Sequence, residues 1–279
     1  MAATPLDDVG WVLWAGTIGL ESPISARVDG ALAAGCTRLT VGPADVAASG
    51  TKPEELGRSL RDVGLDVVLD PIMNWYGGTS MPDAGRYRGL GPDEALHMAE
   101  ALGAVSISVI GPFPPDEVPT VELPDRFAAF CDRAAGFDAQ VQLEFMPMSA
   151  VTDLDTAWPI VRDADRPNGG IVLDTWHFFR SNSDLALLEQ VPGERIFGVQ
   201  VADAPAGPTT SVFEETFNRL LPGDGDLDRV GVLRVLHRTG GLRWIGPEVI
   251  SPTLAAMAPA DAAQLAGDRV RSLVARARS

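Results

Sequence analysis

Residues 169–181 read GGIVLDTWHFFRS. A short β-branched and aliphatic run ends on one carboxylate, Asp174. His177 follows three places later and Arg180 three after that. A continuous apolar run of this length, bounded by glycine and an acid, reads as a strand buried on both faces. Such strands belong to parallel sheets covered by helices. The fold question is therefore how many more there are.

Seven similar runs lie along the chain: WVLWA (11–15), RLTVG (38–42), DVVLD (66–70), VSISVIG (105–111), VQLEF (141–145), IFGVQV (196–201) and RWIGPEV (243–249). With GIVLD (170–174) they make eight, and amphipathic helix-like stretches separate them. Gly35, Gly64, Gly103 and Gly240 stand where helices would end, the position at which glycine is favoured. Eight strand–helix units in 279 residues predict an α/β fold, a (β/α)8 TIM barrel spanning residues 1–279 as one domain. An open doubly wound sheet is the structural alternative. Its first strand–helix turn is usually glycine-rich, whereas here that turn reads WAGTIGLESPIS.

Composition narrows the partners. Hydrophobic residues make up 46%, enough for a large core, and net charge is −16 from 22 basic and 38 acidic residues. Nucleic acid needs clustered Lys and Arg, so no nucleic-acid partner is expected. No apolar run is long enough to span a bilayer, and the opening MAATPLDDVGW lacks the pattern of a secretory signal. Two distant cysteines, Cys36 and Cys131, fit a reducing cytoplasm better than a disulfide framework. Lys52 is the only lysine and opens a polar stretch. Schiff-base chemistry, which needs a lysine in a pocket, is therefore not expected. A homo-oligomer is left open.

Catalytic residues of such barrels sit at the C-terminal ends of the strands. Strand three ends at Asp70. Strands five to eight offer Glu144, Asp174, Gln200 and Glu248 in turn. Any one of these acids could be a helix cap or an ion-pair partner. Four consecutive strands each delivering an oxygen ligand is a more specific pattern. Few arginines stand near enough in sequence to neutralise the carboxylates, and burying them uncompensated is costly. One divalent cation, Mn or Mg, held by Glu144, Asp174, Gln200 and Glu248 would compensate them. His177 and Arg180 are placed to hydrogen-bond a substrate oxygen, with a ligand role for His177 as the alternative. The long segment VADAPAGPTTSVFEETFNRLLPGDGD after strand seven would lie over the same mouth.

From VQLEFMP through DRPNGGIVLDTWHFFRS, ERIFGVQVADAP and RLLPGDGDLD to WIGPEVIS, the chain resembles the xylose isomerase-like TIM barrels of the sugar phosphate isomerase/epimerase superfamily. The likeness is strongest over about residues 138–252. It implies the same four metal positions, with Gln200 standing where many members carry histidine. It also implies a substrate contact for His177 and for Arg219, just before LPGDGD. Glu144 and Glu248 become an acid/base pair flanking the reacting carbon. The implied activity is isomerisation or epimerisation of a small hydroxy-carbonyl compound, by proton removal beside a metal-bound carbonyl. The alternatives are a lyase of the dehydroshikimate or inosose dehydratase type, a C-glycoside eliminase, or a ligand-binding barrel without catalysis. Trp14, Trp75, Tyr76, Phe113, Met146, Met148, Trp176 and Phe178 make the expected mouth rather apolar, with Trp14 and Asp70 as further substrate contacts. No glycine-rich phosphate loop follows strands seven or eight, so the expected substrate is not phosphorylated.

Overall fold

The computed structural model describes residues 8–78 and 90–279. The expectation that the N-terminus carries no secretory signal therefore falls largely on residues 1–7, outside the described residues. Eight strands form a closed barrel in chain order: β1 (Gly10–Leu13), β2 (Arg38–Val41), β3 (Asp66–Ile72), β4 (Ser106–Ile110), β5 (Gln140–Glu144), β6 (Gly169–Asp174), β7 (Ile196–Val201) and β8 (Trp244–Pro247). The first pairs with the last in parallel, Gly10 opposite Trp244. The helices are α1 (Ile24–Ala33), α2 (Pro43–Ser49), α3 (Pro53–Asp62), α4 (Pro92–Leu102), α5 (Leu123–Ala134), α6 (Leu154–Ala164), α7 (Thr175–Arg180), α8 (Leu185–Gln190), α9 (Val212–Thr216), α10 (Arg229–Thr239), α11 (Pro252–Ala255) and α12 (Pro259–Arg278). The fold is the expected (β/α)8 barrel.

Every residue of β4, β6 and β7 is buried, as the unbroken apolar runs require of strands covered on both faces. Register is regular where the site is built: Glu144 pairs with Val172 on β6, and Gln200 with Gly246 on β8. Strand β3 runs two residues further than its sequence suggests, so Asp70 lies within it.

Contacts are densest within two units, 40–172 and 1–39 together with 173–279. In the first, Trp75 is the central side chain. Its ring meets Tyr76, Phe127 and Phe130 edge-on at 5.8, 5.7 and 6.4 Å. Its indole N–H donates to the Ile110 carbonyl at 2.7 Å, so the polar end is satisfied where the ring is buried. Helix α3 follows its sequence. Pro53 opens it, Glu54 and Glu55 face its positive end, Arg61 sits in its last turn, and Leu56, Gly57 and Leu60 form the buried face. Gly57 has no substitute there, because a Cβ would lie 1.9 Å from the Leu102 carbonyl oxygen.

In the second unit, α12 packs along α1 and α10 through small residues, with Ala263 and Ala266 fully buried. Asp228 caps α10 by accepting from Gly231 N–H at 2.9 Å, and Gly240 ends it at φ 79°, a left-handed conformation that glycine adopts without strain.

Candidate active site

Asp174 has two functions at once. As the last residue of β6 it is the N-cap of α7, with Oδ1 accepting from Trp176 N–H at 2.6 Å and from His177 N–H at 3.4 Å. These are donors that a helix start otherwise leaves unpaired. Its second oxygen, Oδ2, faces Arg219 Nη1 at 2.6 Å and His177 Nε2 at 3.5 Å. Asp174 is fully buried and His177 nearly so. Burial works to raise the Asp174 carboxyl. The charges of Arg219 and His177, with hydrogen bonds to the group, outweigh that and hold it below its ordinary value.

Arg219 reaches this place from the loop between β7 and α10. The sequence offered few arginines near the carboxylates. The chain brings one from 45 residues beyond Asp174, and its Nη1 lies 3.4 Å from Glu248 Oε2 and 3.2 Å from the Glu248 carbonyl. Its guanidinium stands 4.7 Å over the Trp176 ring, close enough for a cation–π contact. Glu248, one residue past β8, is 7% exposed.

Two anchors hold that loop. Asp203, fully buried, pairs with Leu220 in both directions at 2.9 Å. Its carboxylate accepts from Gly223 N–H at 3.0 Å and Gly225 N–H at 2.8 Å, and it pairs with Arg229. The other anchor is Glu215 on α9. It accepts from Arg180 Nε at 2.9 Å and from the Trp176 indole at 3.4 Å, while Arg180 Nη2 donates to the Pro205 carbonyl at 2.7 Å. Arg180, expected at a substrate oxygen, thus has these contacts with the loop. Asp203 and Glu215 were not singled out in the sequence. The signal for Asp203 was an acid directly after a strand end, facing the glycines of PGDGD. Glu215 lies in a segment whose sequence reads as irregular, and nothing local marks it.

The other expected residues are placed as follows. Glu144 closes β5 and is buried. Asp174 Oδ2 and His177 Nε2, 3.5 Å apart, are two candidate metal donors. Gln200 is fully buried on β7, and neither its Oε1 nor its Nε2 has a hydrogen-bond partner among the described residues. Trp14 is buried, and its indole N–H donates to the Val199 carbonyl at 3.1 Å. Asp70 is buried within β3. Tyr76, Trp75, Trp176 and Phe178 are buried, and Phe113 is partly exposed.

These donors fit a divalent cation. Two buried strand-end carboxylates share one guanidinium, and a buried amide without a partner among the described residues costs free energy that a ligand bond would recover. Carboxylate, amide oxygen and imidazole are ligands for Mn, Mg or Zn.

The pattern of the family described as xylose isomerase-like TIM barrel matches residues 29–273. The chain belongs to that family. Among curated relatives, this barrel is 26% identical to the 3-dehydroshikimate dehydratase of Pseudomonas aeruginosa over 227 residues, 80% of this chain and 36% of that protein. It is 28% identical to the inosose isomerase of Bacillus subtilis over 144 residues, 51% of each chain. The chain thus spans about a third of the first and half of the second. In structure it is similar to the IolI protein crystallised with a zinc atom. The TM-score is 0.79 at 18% identity, covering 95% of this chain and 98% of that one. That similarity speaks for the fold. The relatives are enzymes, an isomerase and a dehydratase. Among the described residues, no helix is long and apolar enough to cross a membrane.

Proposed function

We propose that this barrel is a divalent-metal-dependent isomerase or epimerase of a small, non-phosphorylated hydroxy-carbonyl compound, sugar-like or cyclic. The observation that carries the reading is the pair of buried strand-end carboxylates, Asp174 and Glu248, gathered beside His177 and Arg219. Glu144, Asp174, Gln200 and Glu248 would hold the cation, with His177 as a further candidate ligand because of its place beside Asp174. A bound cation supplies polarisation of the substrate carbonyl.

The chain's own residues supply the rest. One carboxylate, Glu144 or Glu248, takes a proton from the carbon next to the carbonyl. The C–H electron pair moves into the C–C bond, and the carbonyl π pair moves onto oxygen. The other carboxylate, protonated at the start, returns a proton to carbon on the opposite face, giving the epimer, or to the neighbouring carbon while that carbon's hydroxyl proton passes to the enolate oxygen, giving the isomer. The guanidinium of Arg219 and the imidazole of His177 orient the substrate oxygens by hydrogen bonds. The buried rings of Trp176 and Phe178 make the surroundings poor in water, which strengthens each of these contacts.

A lyase is the second reading. It is favoured by the alignment with the dehydratase, which runs over 80% of this chain. The first proton removal is unchanged, and the electron pair then expels a β-hydroxyl, which takes a proton from the other, protonated carboxylate and leaves as water. Partners are thus small molecules. Net charge of −16 disfavours nucleic acid, and a cytoplasmic enzyme is the setting that two distant cysteines suggest.

The experiment is incubation of the Mn-loaded protein with inosose and 3-dehydroshikimate in deuterated water, read by mass and NMR. Deuterium in a recovered or isomeric product of unchanged skeleton supports the isomerase. A product lacking one water supports the lyase. Neither change, with Glu144→Gln and Glu248→Gln behaving as wild type, sinks the catalytic reading.

A further inference from the structure

Asp174 has one oxygen available to a cation. Oδ1 is engaged by the backbone of α7, and Oδ2 carries Arg219 Nη1 at 2.6 Å. The same Nη1 is 3.4 Å from Glu248 Oε2. A divalent cation on Asp174 Oδ2 and Glu248 Oε2 would stand beside this guanidinium, like charge against like charge, where burial leaves little screening. One pair of oxygens thus has two claimants.

We propose that Arg219 is the resident counter-ion of this site: it joins Asp174 to Glu248 in the metal-free protein and is displaced by the incoming cation, so that cation and guanidinium exclude each other from the same two oxygens. The inference rests on the metal-site reading above.

The backbone that carries Arg219 is held in place. Arg219 N–H donates to the Ile250 carbonyl at 3.0 Å, and the next residue is locked to Asp203 in both directions. Only the side chain has to swing. In the same position the guanidinium also stands over the Trp176 ring, a contact that uses neither carboxylate. Charge also favours an order of events. Two carboxylates with one guanidinium carry a net charge of −1 and attract a dication. Once the dication is in place, the guanidinium no longer holds those two oxygens, and its N–H groups suit an oxygen-bearing substrate. The cation therefore binds first, and Arg219 turns to a substrate oxygen afterwards.

The test is titration of the metal-free protein with Mn2+ by calorimetry, on wild type, Arg219→Gln, Arg219→Lys and Asp174→Asn, with melting curves of each metal-free form. Binding and exclusion are reciprocal, so removing the competitor must tighten the ion. Arg219→Gln is expected to bind Mn2+ about tenfold or more tighter than wild type, in the range usual for coupled sites, although its metal-free form melts lower. Arg219→Lys, which keeps the charge and reaches one oxygen, should fall between, and it carries the test if the glutamine variant does not fold. Equal or weaker binding by both Arg219 variants, with wild-type binding still abolished by Asp174→Asn, overturns the exclusion and leaves the metal site standing. No Mn2+ binding by wild type or any variant overturns both.

Discussion

Arg219, on the loop between β7 and α10, places Nη1 2.6 Å from Oδ2 of Asp174, the residue that ends β6 and starts α7. One carboxylate therefore ties a strand end, a helix start and a long loop together. Asp174→Asn keeps an oxygen for the helix cap and removes the carboxylate charge nearest the buried Arg219 guanidinium. A loss of about 3–5 kcal/mol in the metal-free protein is expected, as for a broken buried ion pair. Asp174→Ala should lose roughly a further 1 kcal/mol with the cap. Denaturant unfolding of both variants checks the order. The pH dependence follows from the lowered Asp174 carboxyl. A lowered folded value contributes stability above the ordinary carboxylate range that is lost as pH falls through the folded value. Metal-free wild type should therefore lose this contribution below about pH 4, and Asp174→Asn should lack that part of its acid transition.

Gln200 is the opposite case, a buried amide whose two polar atoms have no hydrogen-bond partner among the described residues. In the metal-free protein Gln200→Leu should be neutral or stabilising by about 1–3 kcal/mol, since an unsatisfied buried group is removed. The same change should weaken Mn2+ binding. Melting temperature and metal titration together decide this. A strongly destabilised metal-free variant would show that the amide has partners of its own.

The contact of Arg180 with Glu215 fixes the long loop through α9. Glu215→Gln leaves the Arg180 charge in a site where both side chains are nearly inaccessible. Hydrogen exchange over residues 203–228 should quicken markedly, while strands β3 to β5 keep their protection, because local opening follows local contacts. The double change Arg180→Met with Glu215→Leu should recover much of the protection, since an apolar pair avoids the cost of an unpaired charge. Unaltered exchange in Glu215→Gln would remove the anchor.

Gly225 lies against the other anchor. A Cβ there would come 2.4 Å from the Ala204 carbonyl oxygen and 2.5 Å from Asp203 Oδ1. Gly225→Ala must therefore push the turn off Asp203. It should cost about 1–3 kcal/mol, the usual range for overpacking, and reduce turnover with the loop that carries Arg219. Denaturant melts and a kcat measurement read the two effects.

Burial pushes the Cys36 thiol up to about 12, and Cys131 is fully buried. Both should resist iodoacetamide at neutral pH in the folded protein and react on unfolding. Raised above its unfolded value of 9.0, Cys36 contributes stability that is complete below about pH 9 and is lost as pH climbs towards about 12. Cys36→Ser or Cys36→Ala should flatten that part of the alkaline transition, as followed by circular dichroism.

All eight strands were legible in the sequence to within two or three residues, from DVVLD at 66 to IFGVQV at 196. A strand buried on both faces must be apolar without interruption, and that pattern needs no knowledge of its neighbours. Helices α2, α7, α9 and α11, of 7, 6, 5 and 4 residues, were not, because they are too short to display a 3.6-residue period.

Asp174 announced itself as a carboxylate closing an apolar run, and its backbone role as a cap is local. What surrounds its other oxygen is not. Arg219 lies 45 residues away from Asp174, and Glu215 lies 35 from Arg180. Hydrophobic periodicity is a property of neighbouring residues and survives in one dimension. The choice of which charge faces which is settled only when a loop with no periodicity of its own is folded back over the strand ends, and the chain's tertiary structure alone decides it.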